Sequence, residues 1–139
     1  MEDELGDLIH LADPPGTTGH AVSLRVLERP ASGSEFLDCE FVVSTGTING
    51  SFPVGITSDD LDQWEEALDK LAGNRFVSWL NSGRTVQLGI KPLASGAIGV
   101  SLQDAPSSQV TVSLPLSPSA GWIEDQRARL DHVRRAFAG

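Results

Sequence analysis

The sequence predicts an α+β fold in which two amphipathic helices pack on one face of antiparallel β-sheet. Six segments alternate apolar and polar residues, two others repeat apolar residues at helical spacing, and the connections between strands are short and rich in Gly, Pro and Ser. Short connections make neighbouring strands antiparallel, and alternation buries one face of each. The predicted order is βββα, an ambiguous segment, and βββα again. A β-sandwich with peripheral helices is the alternative.

The predicted single domain spans residues 20–139 and follows a flexible N-terminal arm, residues 1–19. The arm ends in DPPGTTG, whose Pro and Gly residues favour a loop. A chain of 139 residues with 40% hydrophobic residues suits one domain with a single core. The first residues, MEDE, are acidic where an export signal is basic and then apolar, so we expect a cytoplasmic protein.

Three strands are expected before the first helix. Their inward-facing residues are Val22, Leu24 and Val26 in the first strand, Leu37, Cys39, Phe41 and Val43 in the second, and Ile48, Phe52, Val54 and Ile56 in the third. Pro53 has no N–H to donate to a neighbouring strand, so the third strand is expected at a sheet edge or a bulge.

The first helix is predicted to begin at Thr57 or Ser58, either of which can cap it, and to end at Gly73. At about 100° per residue, one stripe collects Leu61, Trp64, Leu68 and Leu71, which places Trp64 in the core. Another stripe collects five carboxylates, Asp59, Asp62, Glu65, Glu66 and Asp69. Repulsion between these neighbours costs about 1 kcal/mol of helix stability, and the helix dipole compensates only those in the first turn.

Residues 75–81 fit either a short strand or an extended connector, and three clearer strands and a helix follow. The strands are expected to bury Val86, Leu88 and Ile90, then Ile98, Val100 and Leu102, then Val110, Val112, Leu114 and Leu116. The last helix is expected to begin with Ser117 as cap and Pro118, to end near Phe137, and to bury Ile123, Leu130, Val133 and Phe137. Its four arginines, Arg127, Arg129, Arg134 and Arg135, suit the helix dipole or form a basic patch.

The charge of the chain disfavours two classes of partner. The formal net charge is −9, whereas nucleic acids and anionic membranes are bound through Lys and Arg. Residues 1–70 hold fifteen acidic and three basic residues, whereas residues 71–139 hold four acidic and seven basic residues. This asymmetry favours a basic protein partner. The alternative partner is a second copy of the chain, with the basic last helix of one copy on the acidic helix of the other.

No motif in the sequence indicates catalysis, a cofactor or a metal site. His10, His20 and His132 lack the spacing of metal ligands, and no Walker, dinucleotide or G-x-S-x-G pattern occurs. Carboxylates on a convex helix face surround a cation from one side only and lack the desolvated pocket of a general acid. Cys39 is expected to be a small buried hydrophobic residue rather than a reactive thiol.

Two resemblances add to these observations. The segments TSDDLDQWEEALDKLAG and GWIEDQRARLDHVRRAF, the SW pair at residues 78–79 and the alternating strands resemble an uncharacterised family of small actinomycete proteins over most of residues 20–137. That resemblance implies no activity, because the family is a domain of unknown function. The order of sheet, L..W...L..L helix, sheet and terminal helix also resembles small immunity proteins that neutralise bacterial polymorphic toxins. This architectural likeness implies no binding residue.

The sequence therefore predicts a non-enzymatic, immunity-like or antitoxin-like binding protein. The surface predicted to meet a basic partner consists of Asp59, Asp62, Glu65, Glu66 and Asp69. A purely solubilising face is the other interpretation of these carboxylates. Two further functions stay open: a self-associating structural or accessory subunit, and a small enzyme or ligand carrier with a pocket between sheet and helices.

Overall fold

A computed structural model describes residues 6–14, 19–27, 36–80, 85–104 and 108–138. Within these residues the elements are β1 (Asp7–Ala12), β2 (Ala21–Val26), β3 (Leu37–Ser44), β4 (Asn49–Ile56), α1 (Ser58–Ala72), β5 (Val77–Trp79), β6 (Gln87–Pro92), β7 (Ile98–Gln103), β8 (Thr111–Leu116) and α2 (Trp122–Ala138). The order is therefore four strands and a helix, twice.

The strands form two antiparallel four-stranded sheets. In each sheet the strands follow chain order, β1-β2-β3-β4 in the first and β5-β6-β7-β8 in the second. The predicted α+β class with antiparallel strands is confirmed, and the predicted order of strands and helices is approximately right. The sequence prediction lacked β1 and left β5 open as either a short strand or a connector.

Strand β1 lies where the sequence predicted a flexible arm. It pairs with β2, and Leu8, Ile9 and Leu11 have no exposed surface. A register irregularity between Asp7 and Ile9 turns the consecutive side chains of Leu8 and Ile9 inward, which breaks the alternation that identifies a strand in a sequence. The expected arm over residues 1–19 and the expected domain start at residue 20 are corrected accordingly, while residues 1–5 and 15–18 lie outside the described residues.

Two residues expected on inward-facing strand positions lie before their strands. Ile48 is 67% exposed and Val110 is 46% exposed. Ile48 belongs to the β3–β4 turn, where its N–H donates to Thr45 Oγ1 at 2.8 Å and its carbonyl accepts from Thr45 N–H at 2.9 Å. Local turn hydrogen bonds therefore remove Ile48 from the strand pattern.

The last helix begins later than the predicted start at Ser117 and Pro118. The N–H of Ser117 donates to Asp13 Oδ1 at 2.7 Å, which ties the segment after β8 to the segment after β1, and α2 begins at Trp122. Leu130 and Val133 are buried as predicted, and Ile123 is half-buried. The side chain of Phe137, predicted to be buried, lies outside the described part of the structure.

The first helix matches its prediction closely. Thr57 caps it: Thr57 Oγ1 accepts from the N–H of Asp60 at 3.2 Å, and Asp60 Oδ2 accepts from the N–H of Thr57 at 2.9 Å. Gly73 is the C-terminal cap, and its N–H donates to the carbonyl of Lys70 at 3.0 Å. The predicted apolar stripe is buried throughout, with Trp64 completely enclosed.

One hydrophobic cluster combines side chains of both sheets and both helices. Helix α1 packs on α2 and on β5, and α2 packs on β1. The ambiguous segment provides β5, whose Val77 and Trp79 are buried, and Trp79 lies 5.0 Å from Trp64 between ring centroids. Each helix thus contacts the first strand of the sheet other than the one it directly follows.

Candidate functional site: the acidic face of the first helix

The five predicted carboxylates do not form one uniform surface. Three of them accept hydrogen bonds from arginines of α2: Arg134 Nη2 lies 2.7 Å from Asp62 Oδ1, Arg134 Nη1 lies 2.8 Å from Glu65 Oε1, and Arg127 Nη1 lies 2.8 Å from Asp69 Oδ1. We call Asp62, Glu65 and Asp69 the paired edge of α1. The sequence prediction placed these residues opposite a basic partner, and the structure places them opposite the last helix of the same chain.

The spacing of these ion pairs fixes how the helices meet. Asp62 and Asp69 are seven residues apart on α1, and Arg134 and Arg127 are seven residues apart on α2, which is about 10.5 Å along a helix axis. The earlier acid pairs with the later arginine. The helices therefore run antiparallel, with two matched contacts about two turns apart.

Exposure limits the strength of these ion pairs. The side chains of Asp62, Glu65 and Asp69 are 69%, 52% and 62% exposed. The hydrogen bond to Glu65, and then that to Asp62, raises the pKa of Arg134, and the hydrogen bond to Asp69 raises the pKa of Arg127. Exposed pairs contribute about 0.2–1 kcal/mol each. Together they offset the repulsion within α1, so helix docking explains three of the carboxylates.

The remaining two carboxylates form a free edge. The side chains of Asp59 and Glu66 are exposed and have no hydrogen bond or ion pair to any described residue. They are seven residues apart, so they lie on nearly the same line along α1, about 10.5 Å apart along the axis. This edge is therefore where α1 presents carboxylates that no ion pair within the described structure neutralises.

The expected basic patch on α2 is divided among contacts within the chain. Arg127 and Arg134 contact α1, as described above. Arg129 Nε lies 2.9 Å from Asp125 Oδ2, and its Nη1 donates to the carbonyl of Asp7 at 3.2 Å. Arg135 Nε donates to the carbonyl of Asp131 at 3.3 Å. All four arginines of α2 therefore stabilise local or interhelical structure.

Cys39 is a core residue. It is 2% exposed, and burial, helped by the charge of Asp38, raises the pKa of its thiol from 9.0 to about 12. The thiolate is the nucleophilic form, so Cys39 is unreactive at neutral pH. The prediction of a buried, unreactive cysteine agrees with this geometry.

Gln126 is a buried polar residue that the sequence analysis missed. Its side chain has no exposed surface; Oε1 accepts from the N–H of His10 at 2.8 Å and Nε2 donates to the carbonyl of His10 at 3.0 Å. The amide thus pairs with the outer edge of β1 as another strand would. A sequence signal existed, because Gln126 lies three residues after Ile123 and four before Leu130 on the stripe predicted to be buried.

The described residues contain neither a metal-ligand cluster nor a membrane-spanning helix. Within the residues that the structure describes, no three His, Cys, Asp or Glu side chains cluster as metal ligands. Neither of the described helices combines the length and the apolar character needed to cross a membrane.

Fold and site define an α+β protein of two antiparallel four-stranded sheets whose helices dock through acid–arginine pairs. The chain belongs to a family of unknown function (DUF5959), whose model matches residues 6–138. The matched region includes β1, in agreement with the corrected N-terminal boundary. No curated protein and no solved structure matches the chain significantly.

Proposed function

We propose that this protein is a non-enzymatic, cytoplasmic binding protein that receives a basic protein partner on α1, as an immunity or antitoxin protein receives a toxin. The observation that carries the proposal is the free edge, where the side chains of Asp59 and Glu66 are exposed and form no ion pair with any described residue. A basic partner supplies the missing countercharge.

The paired edge supports this proposal. Arg127 and Arg134 demonstrate that guanidinium groups fit between carboxylates of this helix face at 2.7–2.8 Å. Asp62, Glu65 and Asp69 are three carboxylates held by two arginines, so the paired edge keeps one net negative charge, which adds to the field of Asp59 and Glu66. The five carboxylates therefore steer a cationic surface, and the free edge makes the direct contacts.

The proposal is tested with a fluorescein-labelled octa-arginine peptide in place of the unknown partner. The double variant Asp59→Asn/Glu66→Gln removes the free edge without touching the contacts to α2, so the fold is retained. In anisotropy titrations at 50 mM NaCl, we expect the native chain to bind the peptide and the variant to bind it about fivefold more weakly. Binding of the native chain should also decline steeply by 300 mM NaCl.

The control is the double variant Asp38→Asn/Glu40→Gln, which removes the same charge from β3, a strand of the first sheet. If both variants weaken binding of the peptide equally, the attraction depends on net charge alone and α1 is not the binding surface. Thermal unfolding followed by circular dichroism checks that both variants are folded.

The alternative, a self-associating subunit, has weaker support. The predicted contact joined α2 of one copy to α1 of another, but Arg127 and Arg134 are already bound to α1 of their own chain. A second copy would have to displace these pairs and gain contacts of the same kind. Light scattering at several concentrations distinguishes this alternative from binding of a different protein.

A further inference from the structure

The outward face of the second sheet contains a groove of about 390 Å³, a volume within the range of small-molecule sites. Sheet register aligns two rows across it, Gly89–Ser101–Ser113 and Lys91–Gly99–Pro115. Phe76 and Leu93 also line the groove and are 63% and 41% exposed. Two large apolar side chains thus flank a floor of small residues, on a face separate from α1.

The glycine at position 99 has no evident structural cause. Its φ is not in the left-handed region, and a Cβ built there would lie 3.8 Å from Leu93 Cδ1, an ordinary contact. Glycine weakens a strand, and where the backbone does not require it, it often marks the close approach of a ligand. Gly99 therefore leaves unused the room for a Cβ at contact distance from Leu93, and an apolar ligand group held against Leu93 can occupy it.

The polar groups of the groove favour a negatively charged ligand. Lys91 is the only ionisable residue in strands β5–β8, and this exposed lysine forms no ion pair with any residue the structure describes. The hydroxyls of Ser101 and Ser113 likewise have no hydrogen bond to a described residue. In a chain of net charge −9, these strands offer an ammonium group with no carboxylate of their own to neutralise it.

We propose that this groove binds a small organic carboxylate with an aromatic or aliphatic body. Lys91 binds the carboxylate, the two serines supply further hydrogen bonds, and Phe76 and Leu93 cover the apolar body above Gly99. A free small molecule is the committed occupant because the groove has one cationic group and a limited volume. This site is independent of the proposed protein-binding function.

The test uses 2-naphthoate as the probe and the full ¹⁵N-labelled chain in NMR titrations. We expect saturable shifts of the amide resonances of Gly89, Gly99 and Ser101. Lys91→Gln should weaken the affinity for 2-naphthoate about fivefold. Lys70→Gln, which removes the same charge from α1, should leave the affinity for 2-naphthoate unchanged. The neutral analogue 2-naphthamide should bind with the same affinity to the native chain and to Lys91→Gln.

A second variant tests the groove without removing charge. Gly99→Val fills the floor with a strand-favouring residue, so the protein should remain folded by circular dichroism and the probe should no longer bind. The proposal is overturned if the probe causes no local shifts, if Lys91→Gln and Lys70→Gln behave alike, or if folded Gly99→Val binds as the native chain does. Self-association that covers this face, seen as probe binding that weakens with rising protein concentration, also overturns it.

Discussion

Two buried tryptophans, Trp64 and Trp79, differ in whether the indole N–H has a hydrogen-bond partner. Their rings lie 5.0 Å apart and are inclined at 42°. Trp79 Nε1 donates to the carbonyl of Asp60 at 2.9 Å, which joins β5 to the first turn of α1. Trp64 Nε1 is buried without a hydrogen-bond partner among the described residues. A buried donor left unpaired costs about 1–3 kcal/mol, so Trp64 stabilises the core through packing alone.

This difference predicts unequal effects of the same substitution. Both Trp64→Phe and Trp79→Phe replace the two fused rings of a buried indole with one ring. Only Trp79→Phe breaks a hydrogen bond, whereas Trp64→Phe removes an unpaired donor. We expect Trp79→Phe to lower the free energy of unfolding by about 1–3 kcal/mol more than Trp64→Phe does. Urea unfolding followed by circular dichroism measures both, and equal losses would contradict the assignment.

The sequence was informative for one of these tryptophans and not for the other. Trp64 lies in a fifteen-residue helix, where the apolar period repeats often enough to place it in the core. Trp79 lies in a three-residue strand, which is too short to show a period. Its environment depends on a contact with α1 that local pattern does not encode.

Docking between the helices depends on residues that the apolar pattern treats as surface. The buried stripes of α1 and α2 could be predicted, because each is periodic. Which charged residues would meet could not be predicted, because Arg134 and Asp62 are 72 residues apart and their approach depends on how the two sheets place the helices. The sequence showed only an acidic helix and a basic one.

A double-mutant cycle tests the docking contact. We expect Arg134→Met and Glu65→Gln to be coupled by about 0.2–1 kcal/mol in the free energy of unfolding at 20 mM NaCl, and less at 500 mM NaCl. Arg134→Met with Glu66→Gln is the matched control, since Glu66 makes no contact with that arginine, and its coupling should be near zero. Equal coupling in both cycles would show a diffuse charge effect instead of the observed hydrogen bond.

The whole molecule repeats one arrangement of elements, and its helices connect the two halves. Helix α1 follows the first sheet but packs on β5, whereas α2 follows the second sheet and packs on β1. The sequence revealed the repeat as βββα twice. The bulge in β1 concealed the first strand of the first half, and the brevity of β5 left the first strand of the second half ambiguous.

This crossed packing predicts that neither half folds alone. Residues 1–73 and residues 74–139, produced separately, should lack a cooperative thermal transition by circular dichroism, because each would expose the apolar stripe of a helix and a bare strand. Mixing the two fragments should restore the transition. A cooperative transition in either fragment by itself would show that the halves are independent domains.

The amide of Gln126 gives the molecule a mechanical property. It connects β1, near the N-terminus, to α2, near the C-terminus, through two hydrogen bonds to the backbone of His10. Tension applied to β1 from its N-terminal side would load the β1–β2 ladder at Asp7, the Arg129 contact to Asp7 and then the Gln126 bonds in turn. Breaking the two Gln126 hydrogen bonds alone would loosen α2 from the edge of the first sheet, while β1 would stay paired with β2.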